Sequence, residues 1–255
     1  MASLGKMGGS RRLKRHAAPA FWPIERKEYK WVVKPSPGPH PIDKCIPLLL
    51  VVRDILGYAE SAREAKLIIG RGMIKVDGRV CRDHRFPLGL MDVLEIPKLD
   101  KRFRLVPHPK DYLCLHEIGP GEASFKLCRI EDKTIVKGGH IQLNLHDGRN
   151  VLIRVSDPRR PAEDVYKTMD VVKLSLPDGT VLDHLKFEAG AVAIITGGRN
   201  LGRVGRIVEV SRDLFREQRL VTLEGRGGER FSASYLYTFV IGSKEPAISL
   251  PEGYW

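Results

Sequence analysis

Asp77-Gly78 is the feature that most narrows what this chain can fold into. The dipeptide suits a two-residue turn in which both residues take positive φ, and it stands between the short apolar runs 73–76 and 79–81, so it predicts an antiparallel hairpin. A helix is expected just before it, over about 62–69. Ser61 followed three residues later by Glu64 makes a capping box, in which each side chain satisfies a free backbone donor of the first turn. Gly70 and Gly72 end that helix. An earlier helix is expected over 46–56, stopped by Gly57, and a further strand over 90–96, after which Pro97 closes the unit.

Beyond residue 107 the apolar runs are short and bounded by turns. Runs 141–145 and 151–155 straddle 146–150, and runs 171–176 and 180–182 straddle a second Asp-Gly at Asp178-Gly179, which predicts antiparallel sheet. From Gly190, strands over 192–196, 206–210 and 220–223 alternate with Gly-rich loops, the habit of small barrels. No internal repeat is present. The expected fold class is α+β and multidomain: an extended basic N-terminal arm (1–42), a small α/β module of helices and hairpin (43–106), a middle all-β domain (107–188), a small C-terminal β-barrel (189–246) and an extended or loose tail (247–255). The arm carries Pro35, Pro37, Pro39 and Pro41 at alternate positions, and that composition favours an extended path over a core of its own.

Charge narrows the partners. The 255 residues hold 43 Lys and Arg against 31 Asp and Glu, a formal net charge of +12. The first 34 residues contribute Lys6, Arg11, Arg12, Lys14, Arg15, Arg26, Lys27, Lys30 and Lys34 against Glu25 and Glu28, a surplus of seven. A polyanion is the expected partner. A membrane is not, because no apolar span of about 18 residues occurs and the longest apolar run, 46–52, is interrupted by Pro47 and followed by Arg53. Residues 1–19 lack the apolar stretch of about 7–15 residues that a secretory signal needs, so a cytoplasmic location is expected. Cys45, Cys81, Cys114 and Cys128 lie 36, 33 and 14 residues apart, without the close pairs of a zinc site, and read as reduced, mostly buried thiols. The eight His form no zincin pattern, and neither a P-loop nor a Gly-x-Ser-x-Gly elbow appears, so no catalytic residues, metal or cofactor are assigned.

Three groups of residues carry the expected chemistry. On the helix of 62–69, Arg63 and Lys66 are three apart and share one face, while Ala62, Ala65, Ile68 and Ile69 can face a core. Arg71, Lys75 and Arg79 follow on the glycine turn and hairpin, so helix and hairpin can bracket a phosphodiester backbone. The plain alternative is a solvated basic face. The second group is Ile194 to Ile207, with Arg199, Asn200, Arg203 and Arg206 among Gly197, Gly198, Gly202 and Gly205. It lacks the G-x-G-x-x-G spacing of a dinucleotide site and continues into Arg-Ile-Val-Glu-Val, a strand and not a helix. The third is the arm, with Arg11, Arg12, Lys14 and Arg15, followed by Phe21, Trp22, Tyr29 and Trp31. These aromatics can either stack on bases or anchor the arm on the protein's own body.

The run from Ser61 to Val80 resembles the RNA-binding module named after bacterial small-subunit protein four. That resemblance implies RNA contacts at Arg63, Lys66, Lys75 and Arg79, read through backbone geometry more than base sequence. Residues 194–207 resemble a KOW motif, the strand-loop-strand of SH3-like barrels in ribosomal proteins and elongation factors, with Gly202 and Gly205 shaping the loop. The order of the parts, together with the phrases Gly38-Pro39-His40, Phe86-Pro87-Leu88-Gly89-Leu90-Met91-Asp92-Val93, Phe125-Lys126-Leu127-Cys128, Thr196-Gly197-Gly198-Arg199-Asn200-Leu201-Gly202 and Phe239-Val240-Ile241-Gly242, resembles the archaeal and eukaryotic family of small-subunit ribosomal protein four, e-type. Ending soon after Ser249-Leu250-Pro251, the chain is more similar to the archaeal form. Membership implies a structural, non-enzymatic role on the ribosome in the cytoplasm, with small-subunit rRNA and neighbouring ribosomal proteins as partners and no small-molecule substrate or obligate homo-oligomer. Two other readings share single features: an RNA-modifying enzyme, from the module alone, and a transcription elongation factor, from the KOW resemblance alone.

Overall fold

The structure is a computed structural model and describes residues 10, 12–25, 27–157, 162–211, 219–251 and 253–254. It is mostly β, with three five-stranded antiparallel sheets and a few short helices. No helix among the described residues is long and apolar enough to cross a membrane.

The first sheet belongs to the hairpin. Lys75–Val76 and Arg79–Val80 pair around Asp77 (φ 50°) and Gly78 (φ 76°), as the Asp-Gly turn requires. Val93–Ile96 pairs with Lys75–Val76 on the other side. Pro97 does not close the unit. It opens a single 3-10 turn, Pro97–Leu99, and Asp100 in the left-handed region returns the chain to the same sheet as Lys101–His108, followed by Tyr112–Glu117. The strand Lys101–His108 therefore runs through the expected boundary at 106. Above this sheet lie the helix Ala62–Gly70 and the expected helix at 46–56, which takes a different form. Ile46–Pro47 bridges to Pro87–Leu88, Leu48–Leu50 makes one α-turn, and Val51–Ile55 is π-helical, ending at Gly57 with φ 65°. Its apolar run is buried as expected, with Leu48, Leu49, Val51 and Val52 fully covered.

The middle sheet is centred on one long strand, Phe125–Ile135, flanked by Ile141–Leu145 and Val171–Ser175 with Asn150–Ile153 and Val181–Leu185 at the edges. Both faces of its first half are covered. Phe125 and Leu127 point into one core, shared with the C-terminal sheet, and Cys128 and Ile130 into another. Side chains alternate across a strand, so burial of residues 125–130 on both faces accounts for the absence of a polar alternation there. The C-terminal sheet has Val192–Ile195 between Val204–Val210 and Thr238–Gly242, extended by Leu220–Glu224 and Arg230–Ser234.

The described residues of the arm and of the tail are folded onto this body, contrary to the expected extended arm and loose tail. Leu13–Lys14 pairs with Trp31–Val32, and Trp22, 2 % exposed, donates its indole N–H to the Cys45 carbonyl at 2.7 Å. The arm gains a core by lending its apolar residues to the module. At the other end Ile248 is buried, and Ser249 donates its backbone N–H and its hydroxyl to the Glu122 carboxylate at 3.0–3.2 Å. Of the four thiols, Cys45 and Cys128 are buried and Cys81 and Cys114 half-buried.

Candidate nucleic-acid interface

Two arrangements of charge organise the molecule, one buried and one exposed. The buried one holds the units together. Lys126, fully enclosed on the long middle strand, places its ammonium 2.9 Å from Asp77, 2.5 Å from Asp92 and 3.1 Å from Asp147. Asp77 belongs to the hairpin turn and also accepts the Val93 N–H at 3.0 Å. Asp92 accepts from the Gly89 N–H at 2.8 Å and sits 3.1 Å from His40 Nε2, which comes from the arm. Arg149 reaches both Asp77 (2.5 Å) and Asp147 (3.2 Å). A side chain on Gly89 would run into the His40 imidazole, so glycine is required for this approach.

Burial alone raises the Asp92 carboxyl, but Lys126 and His40 outweigh it and hold it well below the usual carboxylate range. Asp147 is lowered in the same way, burial being overcome first by Lys126 and also by the Arg149 N–H it accepts. At Asp77 burial wins, helped by repulsion from Asp92, and its carboxyl is raised despite Lys126 and Arg149. Beside the cluster, His146 is pushed down to about 3, first by burial and then by the Lys126 charge. Its bonds demand the neutral ring: Nδ1 accepts the Arg129 N–H at 3.1 Å and Nε2 lies 3.2 Å from the Leu90 carbonyl, which needs a donor. The phrases around His40, around Gly89 and Asp92, and around Lys126 converge here from three segments of the chain. Sequence reasoning missed this junction. Its one local signal is a lysine in the otherwise apolar run Phe125-Lys126-Leu127-Cys128.

The exposed arrangement lies on the helix and the arm. The capping box forms as expected: Ser61 Oγ accepts the Glu64 N–H at 3.2 Å, and Glu64 accepts the Ser61 and Glu60 N–H groups at 3.4 and 3.0 Å. Ala65 and Ile69 are buried, which leaves Arg63, Lys66 and Arg71 in solvent. None of these three makes an ion pair among the described residues. Lys66 lines a groove of about 330 Å³ together with Arg12, Trp31, Lys34, His84 and Arg85, so arm and helix share one basic surface. Burial and then the Lys66 charge lower His84 below its ordinary value, which leaves it uncharged in this basic setting. Lys75 is half-buried in the hairpin. Arg79 is exposed but turns toward the middle sheet, donating to the Pro177 carbonyl at 3.3 Å where the Gly78 turn docks. Gly72, with φ 72° and Val80 close against it, makes the reversal from helix to hairpin.

The remaining predicted residues divide between surface and interior. In the arm, Arg12 and Lys14 are exposed, whereas Arg15 is buried and spends Nε and Nη2 on the Ile24 carbonyl at 3.1 and 2.6 Å. Arg11 lies outside the described residues. In the loop after Ile195, Arg199 is exposed, while Asn200 donates to the Ser232 carbonyl at 2.8 Å and Arg203 pairs with Glu229 at 2.6 Å over the Phe231 ring. Arg206 is exposed, with Nη2 3.4 Å from the Lys244 carbonyl. Gly202 packs its open face on Pro109 of the module sheet, and a Cβ there would lie 2.7 Å from the proline ring. Gly205 presses on the backbone of the adjacent strand at Glu224. Among the described residues no cluster of His, Cys, Asp and Glu has the arrangement of a metal site.

The chain is thus mostly β, with a buried ion cluster at the junction of its parts and, on its helix and arm, exposed cations that make no ion pair among the described residues. Two family models match it, Ribosomal family S4e over residues 99–181 and the RS4NT (NUC023) domain over residues 7–43. The chain is 57 % identical to the small ribosomal subunit protein eS4 of Desulfurococcus amylolyticus over 99 % of its length and all of that relative, and 47 % identical to that of Methanocaldococcus jannaschii over 97 % of its length and all of the relative. The crystal structure of the 30S ribosomal protein S4e from Thermoplasma acidophilum superposes with a TM-score of 0.65 at 31 % identity, covering 79 % of this chain and 96 % of that one. The chain belongs to the eS4 family.

Proposed function

We infer that this chain is a structural constituent of the small ribosomal subunit, in the cytoplasm, that binds small-subunit rRNA and has no reaction of its own. One observation carries the site: among the described residues the exposed cations of helix and arm make no ion pair with a carboxylate, so a polyanion can neutralise them without breaking one. Arg12, Lys14, Arg63, Lys66, Arg71 and Lys75 are assigned to phosphates on this face. Arg199 and Arg206 form a second, smaller contact. Their sheet is read as a KOW-type barrel, supported by the glycine loop between Val192–Ile195 and Val204–Val210. Arg15, Asn200 and Arg203 serve RNA binding indirectly, by holding the arm and that loop in place. Arg79 does the same at the Pro177 contact. Family resemblance supports the further division into arm, module, middle β domain and barrel as separate contributors on the subunit.

Co-sedimentation with small subunits through a high-salt wash tests the assignment, and recovery only in the soluble fraction would overturn it. On the site itself, Arg63→Glu should weaken binding to structured small-subunit rRNA and lower the slope of log affinity against log salt by about 0.9 for the lost phosphate contact. Unchanged affinity and slope would remove the helix face from the interface.

A further inference from the structure

Trp31 is the unusual residue of the arm: 48 % exposed, on a strand, with cations on its ring. The Arg12 guanidinium and the Lys30 ammonium each lie 5.8 Å from the ring centroid. The buried Trp22 does the anchoring of the arm, so Trp31 is not needed as an anchor. Trp31 lines two grooves, which also share Val32 and Val33. One is the basic groove of about 330 Å³, with Arg12, Lys34, Lys66 and Arg85 on its walls. The other is a groove of about 350 Å³ whose lining is mostly apolar, with Ile24, Val33, Leu50 and Ala62, and includes a second exposed aromatic, Tyr29, at 56 %. Both volumes fall in the range of small-ligand sites. The neighbouring Asp83 does not oppose an anion freely, since it accepts from Ser36 Oγ at 2.6 Å and from the Arg85 N–H at 2.9 Å. Glu60 lines the second groove together with Arg53, whose guanidinium is paired with Asp54.

We propose that Trp31 is a stacking platform for one unpaired nucleotide of RNA, its base lying on the indole in the apolar groove and its phosphate held in the basic groove by Lys66 and Arg12. This rests on the RNA-binding reading and extends it, because cations alone recognise any backbone whereas an exposed aromatic lining an apolar and a basic groove selects a base that is out of the helix. A base in a duplex is stacked on its neighbours and cannot reach the ring. The site therefore distinguishes a single-stranded or bulged segment from a paired one.

The test uses the full chain and two probes, a mixed-sequence single-stranded RNA hexamer and an RNA duplex with blunt ends. Trp31→Ala should weaken hexamer binding about tenfold, the scale of one base–aromatic stack, and leave duplex binding unchanged. With Trp255 replaced by Phe in both proteins, the hexamer should quench tryptophan emission in the chain that keeps Trp31 and lose that quenching in Trp31→Ala, since Trp22 is buried. Trp31→Phe, which keeps an aromatic on the same strand, should bind the hexamer within about threefold of the unsubstituted chain and so separates stacking from folding. Equal hexamer affinity in the Ala variant overturns the proposal, as does an equal loss for hexamer and duplex. If Trp31→Ala changes nothing while Arg63→Glu still weakens rRNA binding, the stacking platform is wrong and the basic face stands. If Arg63→Glu also changes nothing, the basic face itself is wrong.

Discussion

Lys126 and Lys66 show how differently one residue type is used in two regions of this molecule. Lys126 lies where the arm, the hairpin and the middle sheet meet, enclosed by Asp77, Asp92 and Asp147. Lys66 lies on a solvent-facing helix beside Arg63 and Arg12, with no carboxylate bonded to it among the described residues. In the first region every cation is internally neutralised and binds the protein to itself. In the second the protein leaves its cations unneutralised, and an outside polyanion completes them. A lysine's role is therefore set by whether the fold brings acids to it. Composition, which counts both lysines alike in the net +12, cannot separate them.

The strongest way to break this contrast is to remove the ammonium at the junction. Lys126→Met leaves three buried carboxylates to share Arg149 and His40, and taking one partner from a buried ion pair costs about 3–5 kcal/mol. Urea unfolding should show a loss of that size, with partial detachment of the arm as His40 loses its place on Asp92. A loss below about 1 kcal/mol would mean that packing of the sheets, and not the ion cluster, joins the units.

A second prediction concerns acid. His146 titrates near 6.5 when unfolded and about 3 in the fold, so between those values the unfolded chain binds a proton that the folded chain refuses. Its neutral form is fully compatible with folding above pH 6.5, and stability should fall as pH drops from there toward 3, by about 4–5 kcal/mol across the window. Asp92 and Asp147 act in the same direction but lower: their folded pKa values are depressed, so their contribution is present above about 4 and disappears as pH falls further. In the upper part of the acid slope, below about 6.5, His146 acts together with His84 and His116, which burial lowers in the same direction. His146→Gln, which keeps a donor for the Leu90 carbonyl, should flatten that upper part and leave the lower one, as read by urea midpoints across pH.

What could be read in the sequence tracks the range of the interactions that decide it. The helix Ala62–Gly70 and its hairpin were legible because Ser61 with Glu64, and Asp77 with Gly78, settle their conformations within a few residues. Pro97 misled because a proline ends a strand without saying whether the chain leaves the sheet, and here Asp100 turns it back. The long strand Phe125–Ile135 carries no alternation in its first half because both faces are covered, and the pairing of Leu13 with Val32 depends on the module on which Trp22 sits. At the candidate site the residue types were legible and their exposure was not. Arg15 and Arg63 look alike in sequence, yet one holds the Ile24 carbonyl and the other faces solvent. The junction was invisible because Asp77, Asp92, Lys126 and Asp147 become neighbours only after two sheets have formed.

The helix that carries the exposed cations offers a smaller effect. Ser61→Ala removes the acceptor for the Glu64 N–H and should cost about 1 kcal/mol. If the basic face depends on a well-ordered first turn, RNA affinity should fall slightly as well, since Arg63 lies within that turn. A stability loss with no change in affinity would show that the face tolerates fraying of its own helix.

The least change in stability is expected at Lys66, and that is where the comparison is sharpest. Lys66→Met is the same substitution as Lys126→Met, made on an exposed helix position with no ion pair to lose, and methionine is nearly as good a helix former as lysine. Its stability should stay within about 0.5 kcal/mol of the unsubstituted chain. Its RNA affinity should nevertheless fall, and the salt slope should decrease by about 0.9, because one fewer counterion is released when the phosphate is bound. Lys126→Met, measured at a temperature where it remains folded, should leave that slope alone. If instead Lys66→Met destabilises the chain as Lys126→Met does, then the exposed face is part of the scaffold and its cations are not held in reserve for RNA.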